Sequence, residues 1–270
     1  MSTYDLSGKV AVITGASRGI GRAIAIAFAQ AGADVVVTAR SIAALEETAE
    51  KVREEGRKAV SVPTDVTDVD SISNMLTKTL DEFGKVDILV NNAGGDSGGT
   101  GYVRDLSFEA WRDGIELNLN SIFYCCKIMG EVMIQQKSGT IINISSGMGF
   151  GPFPGAAHHA AAKAGVINFT KTLALELGPF NVRVTGLAPG YTKTALPSKR
   201  WDEHPEELEA LLKTIPSGRI AQPEEMAAMA VFLASSFSSY IFGETIYASG
   251  GMTTTVSPSW IDYAEQIRNS

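Results

Sequence analysis

Two hydrophobic rhythms alternate along the chain. Short apolar runs rich in β-branched residues recur at 9–14 (KVAVIT), 34–39 (DVVVTA), 58–63 (KAVSVP), 86–94 (VDILVNNAG), 139–146 (GTIINISS), 182–190 (VRVTGLAPG) and 244–249 (ETIYAS). Most are continuous rather than alternating, the pattern of strands covered on both faces. Between them lie longer segments with apolar residues at helical spacing, at 21–32, 41–56, 71–84, 107–136, from about 156 to 178, and 223–236. Ser41 and Ser107 stand where helix N-caps are expected. Strand and helix units in strict alternation predict an α/β fold with a parallel sheet between two helix layers. Right-handed crossovers then lead to a doubly wound, Rossmann-type arrangement of about seven strands in a single domain, residues 1–270.

One stretch breaks the rhythm. Residues 191–221 (YTKTALPSKRWDEHPEELEALLKTIPSGRIA) are mostly polar and carry a short predicted helix, PEELEALLKT. An insertion after the C-terminal end of a strand lies beside the ligand crevice of such a sheet. It is therefore read as a substrate lid, with an inert surface excursion as the alternative. No linker or internal repeat is visible.

Composition narrows the classes of partner. At 44% hydrophobic and 20% charged residues the chain resembles an ordinary soluble domain. A net charge of −7 argues against nucleic acid or an anionic membrane as partner and leaves a small-molecule substrate. Cys125 and Cys126 are neighbours and form no disulfide framework, which suits buried helix packing in a reducing compartment. The opening MSTYDLSGKV is not of signal-peptide type and no run is long enough to span a membrane, so a cytoplasmic protein is expected. Asp202, Glu203, Glu206, Glu207 and Glu209 read as a solvated helix start with His204 facing solvent, and no spacing asks for a metal.

The chemistry begins at TGASRGIGRA (14–23), between the first strand and the first helix. Gly15, Gly19 and Gly21 let a pyrophosphate approach the backbone, and the helix N-terminus supplies N–H donors and a favourable dipole. At the end of the second strand an acid would bind an NAD ribose hydroxyl. This chain instead reads Thr38-Ala39-Arg40-Ser41. Arg40, with Arg18 from the glycine turn, can pair with a 2′-phosphate, so NADP is the expected cofactor.

Thr14-Gly15-x-x-x-Gly19-x-Gly21, Asp65-Val66, Asn91-Asn92-Ala93-Gly94, Asn118, Ser146, Lys163 and Pro189-Gly190 fall in one order and spacing. That series resembles the short-chain dehydrogenase/reductase family, from about residue 7 to Gly251. The resemblance implies a seven-stranded, oligomeric oxidoreductase, here a homodimer or homotetramer paired through the apolar faces of the helices at 107–136 and 156–178. It implies that Gly15, Ser17, Arg18, Gly19, Ile20, Gly21, Arg40, Asn92, Ala93, Gly94, Lys163, Pro189, Gly190 and Thr192 line the cofactor. By the same likeness Asp65 and Val66 flank the adenine, and Thr194 contacts the nicotinamide carboxamide.

The family's reacting group is a Tyr-x-x-x-Lys pair, preceded by a Ser thirteen residues earlier and an Asn on the previous helix. Counting from Ser146 and back from Lys163 gives the same position, and it holds His159. The resemblance therefore implies a catalytic set of Ser146, His159, Lys163 and Asn118 with imidazole in place of phenol. A cationic lysine one turn away disfavours imidazolium, so a neutral His159 serves oxidation as a base better than reduction as an acid. It is also shorter than tyrosine and needs a bridging water or a shifted substrate. Three readings stay open: carbonyl/alcohol chemistry through His159 or a relayed water; reduction of an enoyl, including CoA thioester, substrate, since the dienoyl- and enoyl-CoA reductase branch also lacks the tyrosine; and an NADP-binding sensor or inactive partner subunit. His158 is expected to point elsewhere as a structural histidine.

Overall fold

In a computed structural model, residues 4–95, 99, 101–194 and 201–252 are described. Seven strands run parallel: β1 (Val10–Thr14), β2 (Asp34–Ala39), β3 (Ala59–Pro63), β4 (Ile88–Asn91), β5 (Gly139–Ile144), β6 (Val182–Pro189) and β7 (Thr245–Ala248). Their spatial order is β3-β2-β1-β4-β5-β6-β7, so the chain reverses direction across the sheet between β1 and β4. At such a switch point the flanking connections leave on opposite faces and open a crevice beyond the strand ends. The expected doubly wound fold is thus present.

The helices are α1 (Gly19–Gln30), α2 (Ile42–Glu54), α3 (Val69–Phe83), α4 (Phe108–Ile115), α5 (Ser121–Gln136), α6 (Ala157–Leu177), α7 (Pro205–Thr214) and α8 (Pro223–Ala234). One apolar layer joins α1, α2 and α8 to the sheet through residues such as Ile24, Phe28, Leu45 and Met226. The other joins α3, α5 and α6 through Ile72, Met129, Met133 and Val166. Central strands are buried throughout, which is why their sequences read as unbroken apolar runs.

Three details correct the sequence expectations. The segment at 107–136 is not one helix: a π-helical turn at Glu116–Asn120 separates α4 from α5. Ser107 caps α4 by accepting from the Ala110 N–H at 3.0 Å, whereas Ser41 occupies the N-cap of α2 without a capping bond. Only Ile88–Asn91 of the run at 86–94 is strand; the rest is turn. Cys125 and Cys126 are buried in α5 as expected, and burial pushes the Cys125 thiol up to about 12 and Cys126 well above its ordinary value.

Arg183, on β6, is a buried cation that closes the end of α8. It donates to the carbonyls of Leu233, Ala234 and Ser235 and to the hydroxyls of Ser238 and Thr140. The carbonyls at a helix C-terminus carry the negative end of its dipole, which is where a cation is favoured. Burial still lowers the guanidinium to about 10.

Candidate active site

The glycine turn is held rigidly from three sides. Gly15 and Gly19 take the left-handed conformation (φ 66° and 57°), which glycine adopts without strain. A Cβ on Gly21 would collide with the Gly15 carbonyl and with Asn92 Nδ2. Asn92 Nδ2 donates to the carbonyls of Thr14 (2.9 Å) and Gly15 (3.2 Å), so its amide clamps the turn rather than being directed only along the crevice. Thr14 Oγ1 accepts from the N–H groups of Asn92 (3.0 Å) and Ala93 (2.9 Å), welding the end of β1 to the end of β4. Behind the turn, Arg22 donates to the Ser17 carbonyl at 2.6 Å and to Thr48 Oγ1 at 3.0 Å. Thr48 in turn donates to the Ala16 carbonyl.

This rigid turn places the N-terminus of α1, with Gly19, Ile20 and Gly21 in its first turn, at the mouth of the crevice. Donors and dipole there suit a pyrophosphate. On the opposite bank, at the end of β6 and just beyond it, lie Pro189, Gly190, Thr192 and Thr194; the Thr194 methyl would stand 3.2 Å from a Cβ on Gly19. Arg18 and Arg40 are both exposed at the outer end of the crevice. The Asp65 carboxyl is held below its ordinary range chiefly by the Thr67 N–H and hydroxyl, and less by the charge of Arg40. Val66 beside it is buried. The donor set therefore fits a dinucleotide, and the outer cations fit an extra phosphate on its ribose.

At the inner end, Lys163 from α6 is 4% exposed and donates through Nζ to the Ile144 carbonyl at 3.0 Å. Burial lowers its ammonium from 10.5 to about 8. Asn118 sits in the middle of the π-helical turn and is fully buried. Its Oδ1 accepts from the Gly95 N–H (3.0 Å), and its Nδ2 donates to the carbonyls of Gly95 (2.9 Å) and Gly114 (3.0 Å). A Cβ on Gly94 would lie 2.9 Å from Asn118 Oδ1 and 3.3 Å from Lys163 Nζ. The π-helical turn and α6 thus converge on Gly94 in the turn after β4, and its lack of a side chain leaves space between amide and ammonium.

Ser146, just past β5, lines the adjoining cleft, and its Oγ accepts from the Met148 N–H at 3.2 Å. His159 is half-buried on α6, one turn before Lys163. His158 takes another direction: it is fully buried with its ring against Gly114 of α4, the structural place expected for it. The cleft measures about 260 Å³ and is walled by Met148, Phe153, Tyr191, Tyr247 and Met252. Tyr191 and Thr214, from opposite ends of the 191–221 insertion, both reach it; residues 195–200 of that insertion lie outside the described residues. His204 is half-exposed, and no metal-binding group of His, Cys, Asp or Glu occurs among the described residues.

Some of this was not read from the sequence. Thr14 stood inside the quoted motif, but its role depends on β1 and β4 being neighbours. Tyr247 carried one signal: a polar aromatic at the C-terminal end of the last strand, where the topology puts the crevice.

Residues 15–253 match the family model described as Enoyl-(Acyl carrier protein) reductase. A 3-oxoacyl-[acyl-carrier-protein] reductase from Synechocystis sp. is 41% identical over 254 residues, covering 92% of this chain and 98% of that relative. The chain belongs to the short-chain dehydrogenase/reductase family. Solved members of similar shape include a short-chain type dehydrogenase/reductase from Mycobacterium marinum, with a TM-score of 0.86 and 36% identity over 93% of this chain and 98% of that one. An actinorhodin polyketide ketoreductase solved with NADPH gives a TM-score of 0.86 at 32% identity, covering 90% of this chain and 97% of its own. This short-chain dehydrogenase/reductase is therefore an oxidoreductase built on the Rossmann-type sheet described above. No helix among the described residues is long and apolar enough to cross a membrane.

Proposed function

We propose that this short-chain dehydrogenase/reductase interconverts a small, uncharged ketone and its alcohol with NADP(H). The supporting observation is the convergence of Lys163 and Asn118 on Gly94, beside the cleft that Ser146 lines. Gly15, Ser17, Gly19, Ile20 and Gly21 hold the pyrophosphate, while Arg18 and Arg40 pair with the 2′-phosphate. Asp65 and Val66 bound the adenine, the former through its backbone since Thr67 occupies its carboxylate. Asn92, Ala93, Gly94, Pro189, Gly190, Thr192 and Thr194 line the remainder. A nicotinamide cofactor held by these residues would supply the hydride chemistry.

Ser146 donates to the reacting oxygen, and the charge that develops on that oxygen in the transition state strengthens this bond. Lys163 binds the ribose hydroxyls one helical turn from the imidazole. His159 stands at the family's tyrosine position and exchanges a proton with the reacting oxygen through one water. An imidazole acting as base in this place suits alcohol oxidation. The ketone reading, rather than an enoyl one, draws support from the 3-oxoacyl reductases among the relatives and from the retained serine. Phe108, Trp111 and Phe123 are exposed on α4 and α5 and supply the apolar face of a homodimer or homotetramer. A reducing, cytoplasmic setting agrees with two free buried thiols.

Fluorescence titration tests the cofactor assignment: NADPH binds more tightly than NADH, and Arg40→Ala weakens NADPH by about tenfold, the loss of one charge-assisted bond. Tighter NADH binding unaffected by Arg40→Ala overturns it. Turnover of ketones and alcohols, lost in Lys163→Ala, tests the reaction. NADPH binding with no turnover on any ketone, alcohol or enone, or saturation of an enone with its carbonyl left intact, overturns the ketone reading. His159→Tyr is expected to raise ketone reduction.

A further inference from the structure

The cleft contains a phenol that the scheme above leaves unused. Tyr247 projects from the C-terminal half of β7 into the same space that Ser146 lines. Its ring stacks on Phe150 with centroids 4.9 Å apart and an interplanar angle of 6°, which fixes its direction. Its hydroxyl lies against Gly147, the residue after Ser146: a Cβ there would strike Tyr247 Oη and come within 2.8 Å of Cε2 and Cζ. Gly147 therefore has no side chain where the phenol passes. Among the described residues Tyr247 Oη meets no hydrogen-bond partner, although the ring is half-buried. Burial and the neighbouring Tyr191 push its ionisation up, so it remains a proton-bearing donor across the neutral range. Tyr191 differs: its ring leans on Trp201 with centroids 6.5 Å apart.

We infer that Tyr247 is a specificity-determining residue whose phenol hydroxyl donates a hydrogen bond to a second oxygen of the substrate while Ser146 holds the reacting one. This rests on the ketone reading. Two donors lining one cleft, Ser146 and the phenol that lies against the next residue, select substrates with two oxygens a few bonds apart. Walls of Met148, Pro152, Phe153 and Met252, with no charged side chain among the described lining residues, select against a charged second group. The substrate class is therefore a compact, neutral dicarbonyl or hydroxyketone. A site built to hydrogen-bond a substrate oxygen discriminates against the analogue lacking it, because the donor is then left buried without a partner.

The test compares wild type with Tyr247→Phe, which keeps the ring and its stack on Phe150, with thermal melts to verify folding. The first readout is kcat/KM, with NADPH, for a cyclic diketone dimethylated between its carbonyls to prevent enolisation, set against the matching monoketone. The diketone-to-monoketone ratio is expected to fall about tenfold in the variant, mainly through KM, the worth of one net hydrogen bond. A ratio unchanged within about twofold overturns the inference. The second readout needs no turnover: calorimetric binding of the diketone to the cofactor-free protein. A Kd raised about tenfold by Tyr247→Phe supports the inference even if neither ketone is reduced, an outcome that would overturn only the ketone reading. An unchanged Kd, or no diketone binding to wild type, overturns the inference itself.

Discussion

Lys163 is held in the folded chain with its ammonium buried and donating to the Ile144 carbonyl. Burial lowers it from 10.5 to about 8. At roughly 1.4 kcal/mol for each pH unit, that difference corresponds to about 3 kcal/mol of stability withheld while the charge is present. Below pH 8 the folded and unfolded chains are both protonated, and the whole burial penalty stands. Between about 8 and 10.5 the folded chain releases the proton first, so the unfolded state binds more protons and stability rises with pH. Above that window the amine is neutral in both states and the penalty is gone. Lys163→Met removes the titration and keeps most of the side-chain volume. Urea unfolding of the cofactor-free protein, followed by tryptophan fluorescence from about pH 7 to 10.5, measures the stability of wild type relative to this variant. The difference is expected to move in favour of wild type by about 3 kcal/mol across the range. A difference that stays flat, or that moves the other way, refutes the claim that burial governs this lysine.

Other changes test the scaffold around the site. Gly114→Ala places a methyl against the His158 ring and is expected to destabilise by about 1–3 kcal/mol in chemical denaturation, with part of the loss recovered in the Gly114→Ala/His158→Ala double variant. Arg183→Met removes the guanidinium donors to the end carbonyls of α8, leaving the Ser238 hydroxyl on Leu233 and Ser235, and is expected to lower stability by about 3 kcal/mol, seen as a depressed Tm. Thr14→Val, nearly equal in volume, strips the acceptor shared by the Asn92 and Ala93 N–H groups. It is expected to weaken NADPH binding in fluorescence titration by roughly tenfold and to destabilise by about 1–3 kcal/mol.

Much of the fold was legible because its strands are buried on both faces and its helices are amphipathic, two patterns that differ in period. Even the short helix in the insertion fell at Pro205–Thr214 as its sequence suggested, with a proline at its start and acids in its first turn. The interruption at Glu116–Asn120 was not legible, since a π-helical turn uses ordinary helix-forming residues and is imposed by what the two flanking helices touch. Among candidate site residues, the family resemblance singled out Ser146, His159, Lys163 and Asn118 by their order and spacing along the chain. It could not show that the Asn92 amide clamps the glycine turn, which depends on β1 and β4 being neighbours although some eighty residues apart in sequence. Nor could it show Tyr247 beside Gly147, a meeting of strand end and loop that only the assembled sheet produces.

The wide turn at Glu116–Asn120 reconciles two helical phases. Upstream, Gly114 must face His158 on α6; downstream, Cys126 must face Asn91 and Asn143 on the sheet, where its sulfur meets Asn91 Nδ2 at 3.1 Å. Each residue added to an α-helix advances its faces by about 100°, so an unbroken helix would satisfy one of these appointments and miss the other. Asn118 stands where the mismatch is absorbed, and its amide takes up the Gly114 carbonyl. The position of this amide is therefore set by the count of residues on either side more than by their identity. Single insertions or deletions between Gly114 and Cys126 should silence the site while leaving the sheet intact, whereas most exposed substitutions along the same stretch should pass unnoticed.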